Sequence, residues 1–193
     1  MSAPKRVFLI GTSHAYQFGD GVVFGDTTCS PEDATQFRQY LTDVHNQHRI
    51  RAFAEEMNLD ALAEMKLTVS LPKIVADKLS VCHRYCDPTR QEKVQLGIRK
   101  DSDIRSDHMV DGWTQEQIEA DVLARGSLPS DRIREQFWLR SIQGLDVWPL
   151  LFICGANHFT SFAALLRVGH IDIVEEHRDW KPSANRGYCE SES

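Results

Sequence analysis

Long apolar runs, a surplus of positive charge and paired cysteines are all scarce in this sequence. The most apolar run, Trp148 to Gly155, is far shorter than the ~20 residues that cross a bilayer. At the N-terminus, Lys5 and Arg6 precede only the four apolar residues Val7 to Ile10, fewer than the roughly 7–15 of a signal peptide's hydrophobic region. No membrane partner is expected. Lys plus Arg total 22 against 28 Asp plus Glu, a formal net charge of −6. No overall positive field therefore draws the chain to nucleic acid or anionic lipid. The five cysteines, Cys29, Cys82, Cys86, Cys154 and Cys189, are odd in number and scattered, which fits a reducing, cytoplasmic setting better than a disulfide framework. Cys82 and Cys86 flank His83, but a structural zinc site would want a second Cys/His pair that the chain does not offer.

What the chain does carry is apolar sequence enough for one core. Its 193 residues and 41% hydrophobic composition suit a single domain, expected over 1–180 with a polar tail at 181–193. Val7-Phe8-Leu9-Ile10, ended by Gly11, predicts a buried first strand. Residues 50–56, 81–88, 148–155 and 171–174 predict four more. Ser30-Pro31-Glu32-Asp33 supplies a cap, a first-turn proline and acidic residues for a helix to about Gln47. Further helices are predicted from Ser70 to Leu79, from Thr114, from Ser130-Asp131 through Ile142, and from Ser161 to Val168 with Gly169 as the stop. Ala15 to Pro31, rich in Gly, Asp and Thr, predicts a long loop, and 100–107 an exposed or mobile segment. Strands alternating with helices give the fold class: a single α/β domain, with a mostly parallel sheet of about four to five strands and flanking helices.

In such open sheets, ligands bind beyond the C-terminal ends of the strands. Reactive side chains collect at those ends here. His14 follows the first strand within Gly11-Thr12-Ser13-His14, and His158 follows the fourth within Gly155-Ala156-Asn157-His158. Glu55 and Glu56 close the second strand, His83 and Asp87 the third. Two imidazoles with carboxylates suit a divalent cation such as Mn, Co or Zn, which would acidify a bound water or polarise a substrate oxygen. Without metal, the same groups can serve as general base and acid. The expected metal set is His14, Glu55, Asp87 and His158; Glu55, Glu56, Arg134 and Arg140 are the expected catalytic or substrate-orienting groups. Successive strand side chains face opposite ways, so Glu55 is expected in the site and Glu56 in solvent. Bland readings stand beside these: histidines can cap turns, Asp87 before Pro88 is an ordinary turn former, and Cys154, Trp138 and Trp148 read as core. The matched setting of the two histidines favours function.

A strand ending Gly-Thr-x-His, a strand ending in glutamate, an Arg-bearing helix and an apolar strand ending Gly-x-x-His follow one another as Val7 to His14, Ile50 to Glu56, Arg134 to Ile142 and Leu150 to His158. This order, spanning most of the chain, resembles the superfamily of the Tiki proteases, the TraB proteins, the haem-binding ChaN-like proteins and the erythromycin esterases. The resemblance implies a site of His14, Glu55 and His158 with Arg134 or Arg140 as supporting cation. It also implies metal-dependent hydrolysis, as in the Tiki branch, or acid/base ester hydrolysis, as in the esterase branch. The chain departs from the pattern in its shortness, in lacking the membrane segment of Tiki and TraB proteins, and in having Glu55-Glu56-Met57 where a single acidic residue with an Asp neighbour is usual. The expected function is a divalent-metal-dependent hydrolase acting on a small-molecule or peptide substrate. The alternative is a non-catalytic protein that holds a small ligand or haem in the same crevice. Exposed aromatics in 15–31 would permit a homodimer.

Overall fold

A computed structural model of the chain describes residues 4–108 and 112–183. Strand β1 (Arg6–Thr12) is buried from Val7 onward and leads into a short helix, α1 (His14–Phe18). Ser13 caps this helix by accepting the Ala15 amide, and Gly19, at φ 105, ends it. A tight turn at Gly25-Asp26 then joins β2 (Val23–Phe24) to β3 (Thr27–Thr28); Gly25 supplies the positive φ, 62, that a hairpin turn of this length needs. The loop expected over Ala15 to Pro31 is therefore a helix and a hairpin. Ala15, Tyr16, Gln17 and Phe18 are all buried, so tertiary burial stabilises an element too short to show a period.

Helix α2 (Pro31–His48) opens on the expected Ser30 cap, which Asp33 completes into a capping box, and lays Phe37 and Leu41 on the sheet. Strand β4 (Ala52–Glu55) is wholly buried. Helices α3 (Leu59–Glu64) and α4 (Leu71–Lys78), capped by Asn58 and Ser70, lead to β5 (Cys82–Tyr85). There follow α5 (Arg90–Gln95), α6 (Asp101–His108), α7 (Gln115–Arg125) and α8 (Ser127–Gln143).

Two of these helices correct the sequence expectations. The 100–107 segment is mostly exposed, as expected, but residues 101–108 form a helix: Asp101 and Asp103 in the first turn and Arg105 and His108 in the last complement the helix dipole, while Ile104 alone is buried as an anchor. One apolar anchor gives no readable period. Helix α8 begins at Ser127, not at Ser130. Asp101 Oδ1 accepts the Ser127 amide at 2.6 Å in place of a local cap, and Ser130 instead exchanges hydrogen bonds with the Arg99 backbone.

Strand β6 (Leu150–Gly155), a 3-10 turn (Ala156–His158), α9 (Phe159–Val168) and β7 (Asp172–Trp180) complete the chain's described elements. Strand β7 runs beyond the expected 171–174 because β1 pairs with it as far as Thr12 opposite Trp180. Trp180 is then buried against Phe37 and Tyr40, with ring centroids 4.6 and 5.7 Å away. Most of the expected tail, 184–193, lies outside the described residues.

The five long strands form one parallel sheet in the order β5-β4-β6-β1-β7. Strand β6 is inserted between β1 and β4, so the strand ends bearing both histidine turns and the glutamate pair are neighbours. Thr12 lies opposite Gly155, and Glu55 opposite Ile153. Alternate strand residues serve two cores. Val7, Leu9 and Phe152 meet Trp138, Ile142 and Phe162 of α8 and α9 on one face; Ile10, Phe53 and Ile153 meet Phe37, Leu41 and Val75 of α2 and α4 on the other. Each such large side chain contributes ~1.5–3 kcal/mol when buried, and covering both faces explains why the strands read as apolar runs. The chain is thus a single α/β domain with a parallel sheet between helices. Among the described residues, no helix is long and apolar enough to cross a membrane.

Candidate active site

The two Gly-x-x-His turns meet where β1 and β6 end, and their glycines are steric requirements. A Cβ on Gly11 would lie 2.1 Å from the Arg178 carbonyl oxygen and 3.2 Å from the Ala156 Cα. One on Gly155 would lie 2.7 Å from Asn157 Oδ1, 3.2 Å from His14 Nε2 and 3.4 Å from Glu56 Oε2. With only hydrogen there, the Gly155 amide donates to Glu56 Oε2 at 2.8 Å.

Each imidazole is fixed from behind. Gln17, one turn beyond His14 and fully buried, faces His14 Nδ1 through Oε1 at 2.6 Å, while its Nε2 donates to the Ile153 carbonyl at 3.2 Å. That carbonyl decides which end of the amide faces His14, so Nδ1 carries the proton and Nε2 turns into the site. His158 Nδ1 lies 2.9 Å from Glu135 Oε1, which also accepts from Ser161 Oγ at 2.6 Å. Both Nε2 atoms converge on one oxygen, Glu56 Oε1, at 3.6 Å from His14 and 3.5 Å from His158.

Arg134 of α8 ties the cluster together. Its NH2 donates to Glu56 Oε1 at 2.5 Å and its Nε to Asp87 Oδ1 at 2.9 Å; its NH1 lies 3.3 Å from Asp131 Oδ1 and 3.4 Å from His158 Nε2. Asp87 also accepts from Trp138 Nε1 at 3.2 Å and Asn58 Nδ2 at 3.0 Å, and pairs with Lys93 Nζ at 2.7 Å. Burial alone would raise the Glu56 carboxyl, but His14, Arg134 and His158 outweigh it and hold the group well below the usual carboxylate range. Burial likewise pulls His14 down, and Glu56 more than offsets this, so its titration lies above 6.5. For His158, the hydrogen bond to Glu135 and the charge of Glu56 outweigh burial in the same direction.

Of the residues expected in the site, His14, Glu56, Asp87, Arg134 and His158 come together. Glu55 and Arg140 do not. Glu55 points toward the α4 face, where Ser70 Oγ donates to it and His83 Nε2 meets it at 2.8 Å. The expected assignment of the pair is therefore reversed, and neither side chain is solvated: Glu55 is 0% and Glu56 3% exposed. Alternation does separate the two, but helices cover both faces of β4, and Glu56 turns over the strand's end toward the histidines. Arg140 is exposed, its Nε donating to the Gln136 carbonyl of its own helix at 3.3 Å. Gln17, Glu135, Asn58 and Lys93 are not legible from the sequence as site residues. The available signal for Glu135 is its position on the helical stripe of Trp138 and Ile142, a carboxylate among buried residues.

The donor set does not fit a divalent cation as these side chains stand. Glu55 faces away, and the oxygens of Glu56 and Asp87 already meet Arg134, Lys93, Trp138, Asn58 and the Gly155 amide. Among the described residues, no three His, Cys, Asp or Glu side chains are grouped to hold a metal ion.

The cluster opens on a cavity of about 160 Å³, lined by His14, Glu56 and Arg134 on one side and Phe18, Phe24 and Met57 on the other. The His14 side chain is 22% exposed; that of His158 is 4% exposed and sits behind Arg134. No protein-family model, curated protein or solved structure matches this chain, and its functional assignment rests on the geometry of this cluster.

Proposed function

We propose that the protein is a hydrolase that cleaves an ester or amide by acid/base chemistry at His14. The supporting observation is the setting of that imidazole: partly exposed in a cavity, anchored through Nδ1 to buried Gln17, and turned through Nε2 toward Glu56 and Arg134.

Neutral His14 presents a lone pair on Nε2. It takes a proton from water as the water oxygen bonds to the substrate carbonyl carbon, and Glu56 stabilises the resulting imidazolium. The same proton then passes from Nε2 to the leaving oxygen or nitrogen as that atom's bond to carbon breaks, giving a carboxylic acid and a free alcohol or amine. Arg134 places a permanent positive charge beside the oxyanion that develops on the carbonyl. His158 and Glu135 are positioning residues in this scheme, holding Arg134 and Glu56 from the buried side.

A divalent-metal-dependent version of the same hydrolase requires Arg134 to release Glu56 and Asp87, so the two versions separate experimentally. The test is hydrolysis of short p-nitrophenyl esters and anilides by chelator-treated protein and by folded His14→Ala. The acid/base reading expects turnover that falls by on the order of 10²–10⁴ in the variant. Turnover only after Mn, Co or Zn is added would establish the metal version instead, and no turnover under either condition would overturn the hydrolase.

A further inference from the structure

The cavity at His14 has an apolar wall assembled from three parts of the chain. Phe18 ends α1, Met57 follows β4, and Phe24 comes from the short β2–β3 hairpin. The hairpin is held at its base. The Gly21 amide donates to the Cys29 carbonyl at 2.8 Å and the Cys29 amide to the Val22 carbonyl at 2.9 Å, while Val22 is buried with Phe18, Met57 and Leu62.

This anchoring fixes the Phe24 ring over the site. The ring stands edge-on to His14, with centroids 5.2 Å apart, and lies 5.7 Å from the Phe18 ring, yet Phe24 remains 43% exposed. A half-covered aromatic ring facing the reacting imidazole is apolar surface that a ligand completes.

The opposite border is polar. Asn58, Ala61 and Lys93 line both this cavity and a neighbouring cleft beside α3 and α5. There Lys93 Nζ pairs with Asp87 at 2.7 Å and Asn58 Nδ2 donates to Asp87 at 3.0 Å. An apolar chain crossing that border would strip water from the pair and return no hydrogen bond, so the apolar space ends there. The charges on the wall also cancel: the carboxylates of Glu56 and Asp87 face the cations Arg134 and Lys93, and Arg134 bridges both acids. With His14 neutral, as general-base action requires, neither an anion nor a cation meets an unpaired partner here. The volume of about 160 Å³ is close to the ~150 Å³ of an apolar cavity that holds benzene and below the roughly 300–1,000 Å³ of pockets for drug-sized ligands.

We infer that the substrate group seated beside His14 is uncharged, apolar and no larger than a single ring, and that Phe24 sets this size limit. The inference rests on the hydrolase reading for its chemistry, but it concerns binding and is tested by binding, which needs no turnover. The probes are benzamide, its charged isosteres benzoate and benzamidinium, and the two-ring 2-naphthamide. Each is titrated into wild-type protein and Phe24→Ala at a pH where His14 is unprotonated, and binding is followed by NMR through the His14 ring signals.

Wild-type protein is expected to bind benzamide about fivefold or more tighter than either charged isostere and than 2-naphthamide. Phe24→Ala should weaken benzamide by about two- to tenfold, the worth of one aromatic contact, and remove the preference for one ring over two. A charged isostere or 2-naphthamide binding wild-type protein as tightly as benzamide overturns the inference. So does an unchanged size preference in Phe24→Ala, or no binding of any probe. The wild-type comparisons decide charge and size whatever the variant does. The expected binding pattern without hydrolysis of phenyl benzoate supports the inference and counts against the hydrolase alone; hydrolysis without that pattern does the reverse.

Discussion

Glu56 Oε1 accepts from Arg134 NH2 at 2.5 Å, with the carboxylate 2% and the guanidinium 19% exposed. Neither charge has water enough to replace the other. Arg134→Met should therefore destabilise the fold by about 3–5 kcal/mol, since it leaves Glu56 and Asp87 buried without their shared cation. Adding Glu56→Gln to that variant should restore part of the loss. Urea unfolding of the two single variants and the double variant checks this; strictly additive losses would mean the pair is not coupled.

The two motif glycines should fail differently. Gly155→Ala puts a methyl group against His14 Nε2 and Glu56 Oε2, side-chain atoms of the site, so turnover should fall by on the order of 100-fold from misplacement while the fold survives. Gly11→Ala drives its methyl into the Arg178 backbone carbonyl, which cannot swing away, and should cost about 1–3 kcal/mol of stability. Thermal unfolding beside kinetics separates the two effects.

The fold was largely legible because both faces of the sheet are covered. Apolar runs such as Trp148 to Gly155 mark buried parallel strands, and capping residues at Ser30, Ser70 and Thr114 mark helix starts in their true places. Helices held by one anchor or by tertiary burial, α6 and α1, carry no period and could not be read. In the site, residues tied to strand ends were legible, whereas those contributed by distant helices were not. Alternation separated Glu55 from Glu56 but could not say which side held the histidines, because that depends on where β6 is inserted. Arg134 and Arg140 lie on one helix, and only the packing of α8 against Asp87 and Glu56 distinguishes them.

Glu55 belongs to a separate, structural cluster with Ser70 and His83, and its Oε2 is buried without a partner. Removing His83 leaves that carboxylate with Ser70 alone. His83→Ala should cost about 3 kcal/mol of stability while kcat/KM for any ester substrate stays at the wild-type value. A selective loss of kcat in a stable His83→Ala protein would place this cluster in the reaction.

Stability should peak in a window set by the Glu56 and histidine ionisations. Glu56 is depressed from 4.5, so its contribution is present above that value and is lost as pH falls through the folded-state value. His14 and His158 are raised from 6.5, so theirs is complete below 6.5 and lost as pH rises through the folded-state values. The greatest contribution from these groups therefore lies between about pH 4.5 and 6.5. These shifts partly describe one interaction seen from both partners, so Glu56→Gln should flatten both limbs of a plot of unfolding free energy against pH.

The pH dependence of kcat/KM for ester hydrolysis, measured on chelator-treated wild-type protein beside Glu56→Gln, bears most directly on His14 as the general base. A His14 site predicts a rate that rises as the imidazole loses its proton, through an ionisation above 6.5 that moves downward when the Glu56 carboxylate is removed. A flat profile, or a midpoint that stays in place in Glu56→Gln, would contradict it.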